Sequence, residues 1–295
     1  VSAMRFLQNW RRILSIFLIL IVPTACISNK EMTVGSTATL LEEISKSANK
    51  QSDLRVIREG MPAYLMLIDG MVEAVPNNAR LLLAAAQAYA SFASAFIEDE
   101  DQDYARVLFT KAKDYALRAL ELRGIKEPVS KPFNEFEAAV NTLGKEDVPY
   151  MFWTGTCWGS WIRLNLGSIA AVAELPRVEV LMKRVLVLDE QFYYGGSHLF
   201  MGILLASRPS IAGGDLDKAH HHFQKALAFS QDAFLMTRVY FASHYARKRL
   251  DRELFVANLQ QVLDTPADKI PQLTLLNTVA HQRATELLAQ TDDFF

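Results

Sequence analysis

Beyond residue 37 this chain shows almost no alternation of apolar and polar residues. Nearly every apolar run has the three- and four-residue spacing of a helix face. Prolines and glycines cut the runs into segments, because proline cannot continue a helix from its interior. Reading between the cuts predicts helices at about 38–59, 62–74, 78–97, 101–122, 132–142, 148–172, 176–188, 192–206, 215–229, 232–248, 250–263 and 271–290. Breaks are expected at Pro62, Pro76, Gly124 to Pro128, Pro149, Pro176, Pro209 to Gly214, Pro266 and Pro271. With no sheet to cover, such helices must bury their apolar stripes on one another. The expected fold is all-α, in antiparallel pairs.

Small residues recur within these segments. Ala219, Phe223 and Ala226 follow the turn at Gly213-Gly214 with the second-helix spacing of a tetratricopeptide repeat. Leu82, Ala86 and Tyr89 take first-helix positions after Pro76, and Ala112, Ala116 and Ala119 supply another second helix. Residues 251–266 read as a further degenerate copy. Alanine at i, i+4 and i+7 is also ordinary core spacing, so one copy alone carries little weight. Four copies with turn signals predict a solenoid of TPR-like helical hairpins, one domain over 38–295.

The first 26 residues carry an address. Arg5, Arg11 and Arg12 precede the uncharged run Ile13 to Val22, which ends at Pro23-Thr24-Ala25-Cys26. Basic, then apolar, then small residues is the order of an export signal. The cysteine at its end favours a bacterial lipoprotein signal, although Pro23 stands where leucine is usual. Met4 reads as the natural start. Ten apolar residues fall short of the ~20 needed to span a bilayer. The expectation is a signal peptide over 1–25, lipidation at Cys26 and a flexible tether over 26–37. The body then lies in the periplasm and meets the membrane through its lipid anchor only.

Hydrophobic residues make up 51% of the chain and glycine is sparse, so a large core is available. Acidic residues outnumber basic ones, 33 to 31, even before the leader arginines are removed. Nucleic acid, which wants a basic face, is therefore not an expected partner. If Cys26 is acylated, Cys157 stands alone and no intramolecular disulfide can form.

Several constellations bear on chemistry. Gly155-Thr156-Cys157-Trp158-Gly159 has the spacing of a nucleophile elbow, but that motif needs a strand before it, and here the context is helical. Glycines four apart read better as a bare face for close helix approach. Trp153, Trp158 and Trp161 fall within nine residues, and two readings stay open: packed core, or the flat wall of an apolar ligand cleft. The uncharged stretch Leu81 to Ile97, with Tyr89 and Phe92, is a central helix or the lining of a groove. Tyr193, Tyr194 and His198 follow the next helix boundary and could add polar tips to such a wall. His220, His221 and His222 point about 100° apart on a helix and so make no metal site. The run Glu98 to Asp103 reads as a solvated loop, and Gly213-Gly214 as a repeat turn.

Leu188 to Gly202, Arg208 to Ala219, Tyr240 to Tyr245, Asp251 to Phe255 and Leu287-Leu288-Ala289 resemble the T component of TRAP transporters. These are periplasmic lipoproteins of tripartite ATP-independent uptake systems. The likeness is best from about 148 to 290 and rests on helical pattern upstream. It implies an all-α solenoid without catalytic residues, metal or cofactor, which partners a periplasmic solute-binding subunit. A cleft or pore for a hydrophobic small molecule and a homo-oligomer, taken as a trimer, complete the expectation. The rival readings are a general TPR scaffold for envelope assembly and an envelope hydrolase using Cys157.

Overall fold

The computed structural model describes residues 39–295, and every regular element among them is helical. Helical residues 39–48 (α1) lead to α2 (Leu54–Ala74) and α3 (Ala79–Phe92), which runs on into a π-helical turn, Ala93–Ile97. Next come α4 (Gln102–Leu122), α5 (Phe133–Thr142), α6 (Val148–Arg163), the short α7 (Ile169–Ala173) and α8 (Leu175–Leu188). α9 (Phe192–Ser207) and α10 (Leu216–Phe229) precede α11 (Met236–Tyr240), which also runs into a π-helical turn, Phe241–Ala246. α12 (Arg252–Asp264), α13 (Thr274–Ala289) and α14 (Thr291–Phe294) come last. The signal, the tether and Cys26 lie outside the described residues.

Many helix starts are set by their own neighbours. Asp53, Asn78, Asp101, Ser168, Asp215 and Asp251 each accept a backbone N–H of the first turn. Two expected boundaries need correction. Pro62 does not break a helix but lies inside α2. It sits on the exposed side of that helix, where water can serve the Arg58 carbonyl that loses its donor. The true break is at 49–53, where the Asp53 carboxylate takes the Arg55 and Val56 N–H groups. The segment 148–172 is likewise not one helix. It ends at Arg163 and restarts at Ile169, with the Ser168 hydroxyl accepting from the Ala171 N–H.

Helices pack on their chain neighbours: α3 on α2 and α4, α6 on α4 and α8, α9 on α8 and α10, α12 on α13. The alanines behind the repeat reading, Ala86, Ala112, Ala116, Ala119, Ala219 and Ala226, are all sealed in these contacts. Ala79–Ile97 is long and apolar enough by composition to cross a membrane. It lies instead between α2, α4 and α6 with Leu81, Leu82, Ala85 and Phe92 buried, so it is a core helix. The array also curls back on itself. α13 packs against α2, the Leu275 N–H donates to the Asn49 carbonyl, and Arg283 reaches Ser94 and Asp99 at the far end of α3. The last helices thereby close against the first.

Candidate functional site

α6 meets α9 along a seam, with Phe152 against Phe192, Tyr193 and Gly196 and Gly159 against Phe200. The start of this seam is aromatic. Tyr193, Tyr194 and Gly195 all adopt left-handed backbone conformations, with φ of 49°, 59° and 74°. Left-handed geometry costs a non-glycine residue roughly 1–2 kcal/mol, so surrounding contacts must hold the two tyrosines there. Tyr193 packs edge-on against Trp153 at 5.0 Å between ring centres and lies 5.4 Å from Phe152. Tyr194 rests 5.9 Å from Phe234. Strain maintained by tertiary contacts is a recurrent feature of binding sites. Burial pushes the Tyr193 hydroxyl up to about 12, yet it has no hydrogen-bond partner among the described residues. A half-buried, unpaired O–H in an aromatic surround offers a polar tip to a ligand.

The other residues expected in one groove are dispersed. Trp158 is 0% exposed and donates its indole N–H to Glu174 at 2.5 Å, so it belongs to the packed interior. Trp161 turns toward α4, donating to the Thr110 hydroxyl and carrying the Lys113 ammonium 3.4 Å above its ring. Tyr89 donates to Asp69, which also binds Tyr115 and Lys111. Phe92 is core. Only Trp153, Tyr193 and Tyr194 of the aromatic set come together. The glycine reading does hold: a Cβ on Gly155 would meet Met182 at 2.7 Å, and one on Gly159 would meet Phe200 at 2.7 Å.

His198 lies just beyond the left-handed turn, with its Nδ1 2.8 Å from Nδ1 of His222 on α10 and its Nε2 3.3 Å from Glu190. With both rings neutral, His198 donates through Nε2 to Glu190 and accepts at Nδ1 from the His222 Nδ1–H. Of the three consecutive histidines, His222 is thus locally paired, and no metal-binding cluster occurs among the described residues. Burial lowers the His222 pKa to about 4, aided by repulsion from His198. Burial also lowers His198, against the pull of Glu190, and lowers His244 to about 4. All three shifts are downward, so between about pH 6.5 and 4 the unfolded chain binds more protons than the folded one. Stability should therefore be retained above pH 6.5 and lost as the pH falls through this window. Thermal melts across pH 4–7 should show the falling midpoint, and His222→Gln should flatten it. An unchanged slope in that variant would remove His222 from the account.

The far end of the seam is charged. The acidic run is the exposed turn before α4 that the sequence suggested, with Glu98 largely covered, and Glu98, Asp99 and Glu100 are each paired with an arginine of another helix. Glu98 binds Arg163 of α6, Asp99 binds Arg283 of α13 at 2.8 Å, and Glu100 binds Arg58 of α2 at 2.5 Å. Tyr240 lies near both Arg163 and Arg283, and His244 sits 5.7 Å from the Tyr240 ring and 3.3 Å from the Ser207 hydroxyl. Both π-helical turns border this charged cluster, contributing the Ser94 carbonyl and His244. Such turns are frequent at functional sites. Arg163, Arg283 and His244 were not legible as a site. For Arg163 the sequence signal is its charge at the end of the otherwise uncharged α6 segment.

Cys157 is fully buried, its thiol pushed up to about 12 by lost solvation. It sits mid-helix with Sγ 3.7 Å from the Ala86 carbonyl. A thiol so placed holds almost no thiolate at neutral pH and has no route to substrate, which removes the structural basis of the hydrolase reading.

A protein of Treponema pallidum (strain Nichols), itself described only as uncharacterized, is 22% identical over 272 residues, 86% of this chain and 84% of that one. The family model for the TRAP transporter T-component matches residues 50–295. That span takes in both ends of the seam and the N-terminal half that resembled the family only in helical pattern, and the chain belongs to the TRAP transporter T-component family.

Proposed function

We propose that this protein is a non-enzymatic, lipid-anchored periplasmic accessory of a TRAP uptake system. In this reading it engages the solute-binding subunit and holds an apolar ligand at the aromatic end of the seam. Membership of the T-component family across residues 50–295 carries the reading. The strained Tyr193-Tyr194 turn beside Trp153, with its unpaired hydroxyl, supports the ligand half. Cys26 supplies the anchor, and a tethered partner gains effective concentration at the membrane.

The chain and its cognate solute-binding subunit should sediment as a complex at micromolar concentrations, and the same run reports whether the chain alone is a trimer. Absence of a complex at about 100 μM, a free energy too weak for a working partnership, would favour the general scaffold instead. In cells, Cys26→Ser should move the protein from the membrane to the soluble periplasmic fraction.

A further inference from the structure

We propose that the outward face of α2 is a self-pairing surface, on which α2 of a second copy of this chain packs antiparallel about a two-fold axis beside Leu65. This goes beyond the partner and ligand readings above and depends on neither.

The inward side of α2 is accounted for. Leu65, Ile68 and Val72 are buried, Tyr64 and Met71 pack on the same core, and the Tyr64 hydroxyl donates to the Leu41 carbonyl of α1. The opposite side is bare. Val56, Met66 and Leu67 are 60%, 76% and 52% exposed, large apolar side chains that nothing covers among the described residues. The same face carries Gly60 and Gly70. Glycine weakens a helix interior relative to alanine, and elsewhere in this fold close neighbours account for it. A Cβ on Gly155, Gly159, Gly196 or Gly202 would meet a side chain at 2.6–3.1 Å. A Cβ on Gly60 or Gly70 would meet nothing within 4 Å. A single copy of the chain therefore gives these two glycines no role.

The pattern of the face identifies what covers it. Val56, Gly60, Ala63, Leu67, Gly70 and Ala74 are all exposed, carry no charge and step alternately by four and three residues. That is the seam spacing of paired helices. Packed parallel, Leu67 would meet Leu67 and Val56 would meet Val56, holding the glycine layers apart. Packed antiparallel, each large side chain falls against an alanine, Val56 on Ala74 and Leu67 on Ala63, and Gly60 closes on Gly70. A patch complementary to itself in this way is what a two-fold contact requires. The flanking charges fit the same register. Arg55 pairs with Glu59 at 2.7 Å, and antiparallel pairing sets Glu73 of the second copy beside that pair, with Arg55 between the two acids. One helix face is small beside the ~800 Å² that a standard interface takes from each partner, so a dissociation constant on the order of 10 μM is expected.

The test is sedimentation equilibrium of the purified full chain in density-matched detergent, carried to tenfold above that value, where a monomer–dimer equilibrium should appear. The double variant Gly60→Leu, Gly70→Leu fills open space in the single chain. Its melting temperature should hold or rise while its dimer dissociation constant rises at least tenfold, a combination that misfolding cannot produce. Oxidative cross-linking reads the register. Chains carrying Val56→Cys should link to chains carrying Ala74→Cys, with the 56–74 bond mapped by mass spectrometry. Val56→Cys alone should form no 56–56 bond, because the axis sets those positions about 27 Å apart, eighteen residues at 1.5 Å each. A chain that stays monomeric overturns the proposal. So does any assembly, trimer included, that keeps its affinity in the double-leucine variant, or a 56–56 bond as abundant as the 56–74 bond.

Discussion

Replacing Trp158 by alanine should cost about 3–5 kcal/mol of stability, the range for removing a fully buried aromatic side chain. The indole is enclosed among Ile162, Val178, Leu181 and Met182, so little can collapse into its place. Its loss also strips a donor from Glu174, which accepts both the indole N–H at 2.5 Å and the Lys113 ammonium at 3.0 Å. Lys113 in turn sits over the Trp158 and Trp161 rings, so one side chain braces α4, α6 and the start of α8. Trp158→Phe keeps much of the ring and drops the N–H while Glu174 keeps Lys113, and should cost roughly 1.5–3 kcal/mol, the worth of a hydrogen bond to a charged group. Urea denaturation of the two variants measures both. A loss below about 1 kcal/mol in Trp158→Ala, the size of an ordinary surface change, would mean the residue lines open space rather than core.

This expectation differs from a plain reading of three tryptophans in nine residues, and the reason is geometric. On a helix, neighbours in sequence point in different directions, and what each meets depends on elements far away. Trp153 meets Tyr193, Trp161 meets α4, and Trp158 meets α8. Helix positions were legible because their causes are local: Asp101, Asp215 and Asp251 cap the turns that follow them. Pro62 misled because whether a proline breaks a helix depends on which side faces water, a tertiary fact. The acidic run is the exposed turn it looked like, but its partners were not legible, since Asp99 finds its arginine 184 residues away. Gly195 advertised a left-handed residue, but Tyr193 and Tyr194 adopt that geometry only because Trp153, Phe152 and Phe234 hold their rings. Family membership was legible in the C-terminal half and extends over the N-terminal half, where the pattern is helical but less distinctive.

Arg283→Met should unlatch the closed array. Arg283 of α13 binds the α3 end directly, donating to the Ser94 carbonyl at 2.6 Å and to Asp99 at 2.8–3.0 Å, with Nη1 beside Met236. A fully buried ion pair costs 3–5 kcal/mol to break from one side, but Asp99 is mostly exposed and rehydrates, so about 2–3 kcal/mol is expected. Methionine keeps the apolar stem and its packing on Met236, which isolates the polar latch from a simple cavity. Asp99→Asn should cost under about 1 kcal/mol, because its partner keeps the Ser94 carbonyl and the lost charge is exposed. Location distinguishes a latch from general weakening. Hydrogen exchange in Arg283→Met should quicken at 93–97 and along α13 while α4 and α8 stay protected, as expected when a local contact opens below the global free energy. Uniform loss of protection, or wild-type stability, would show that the ends stay closed without it.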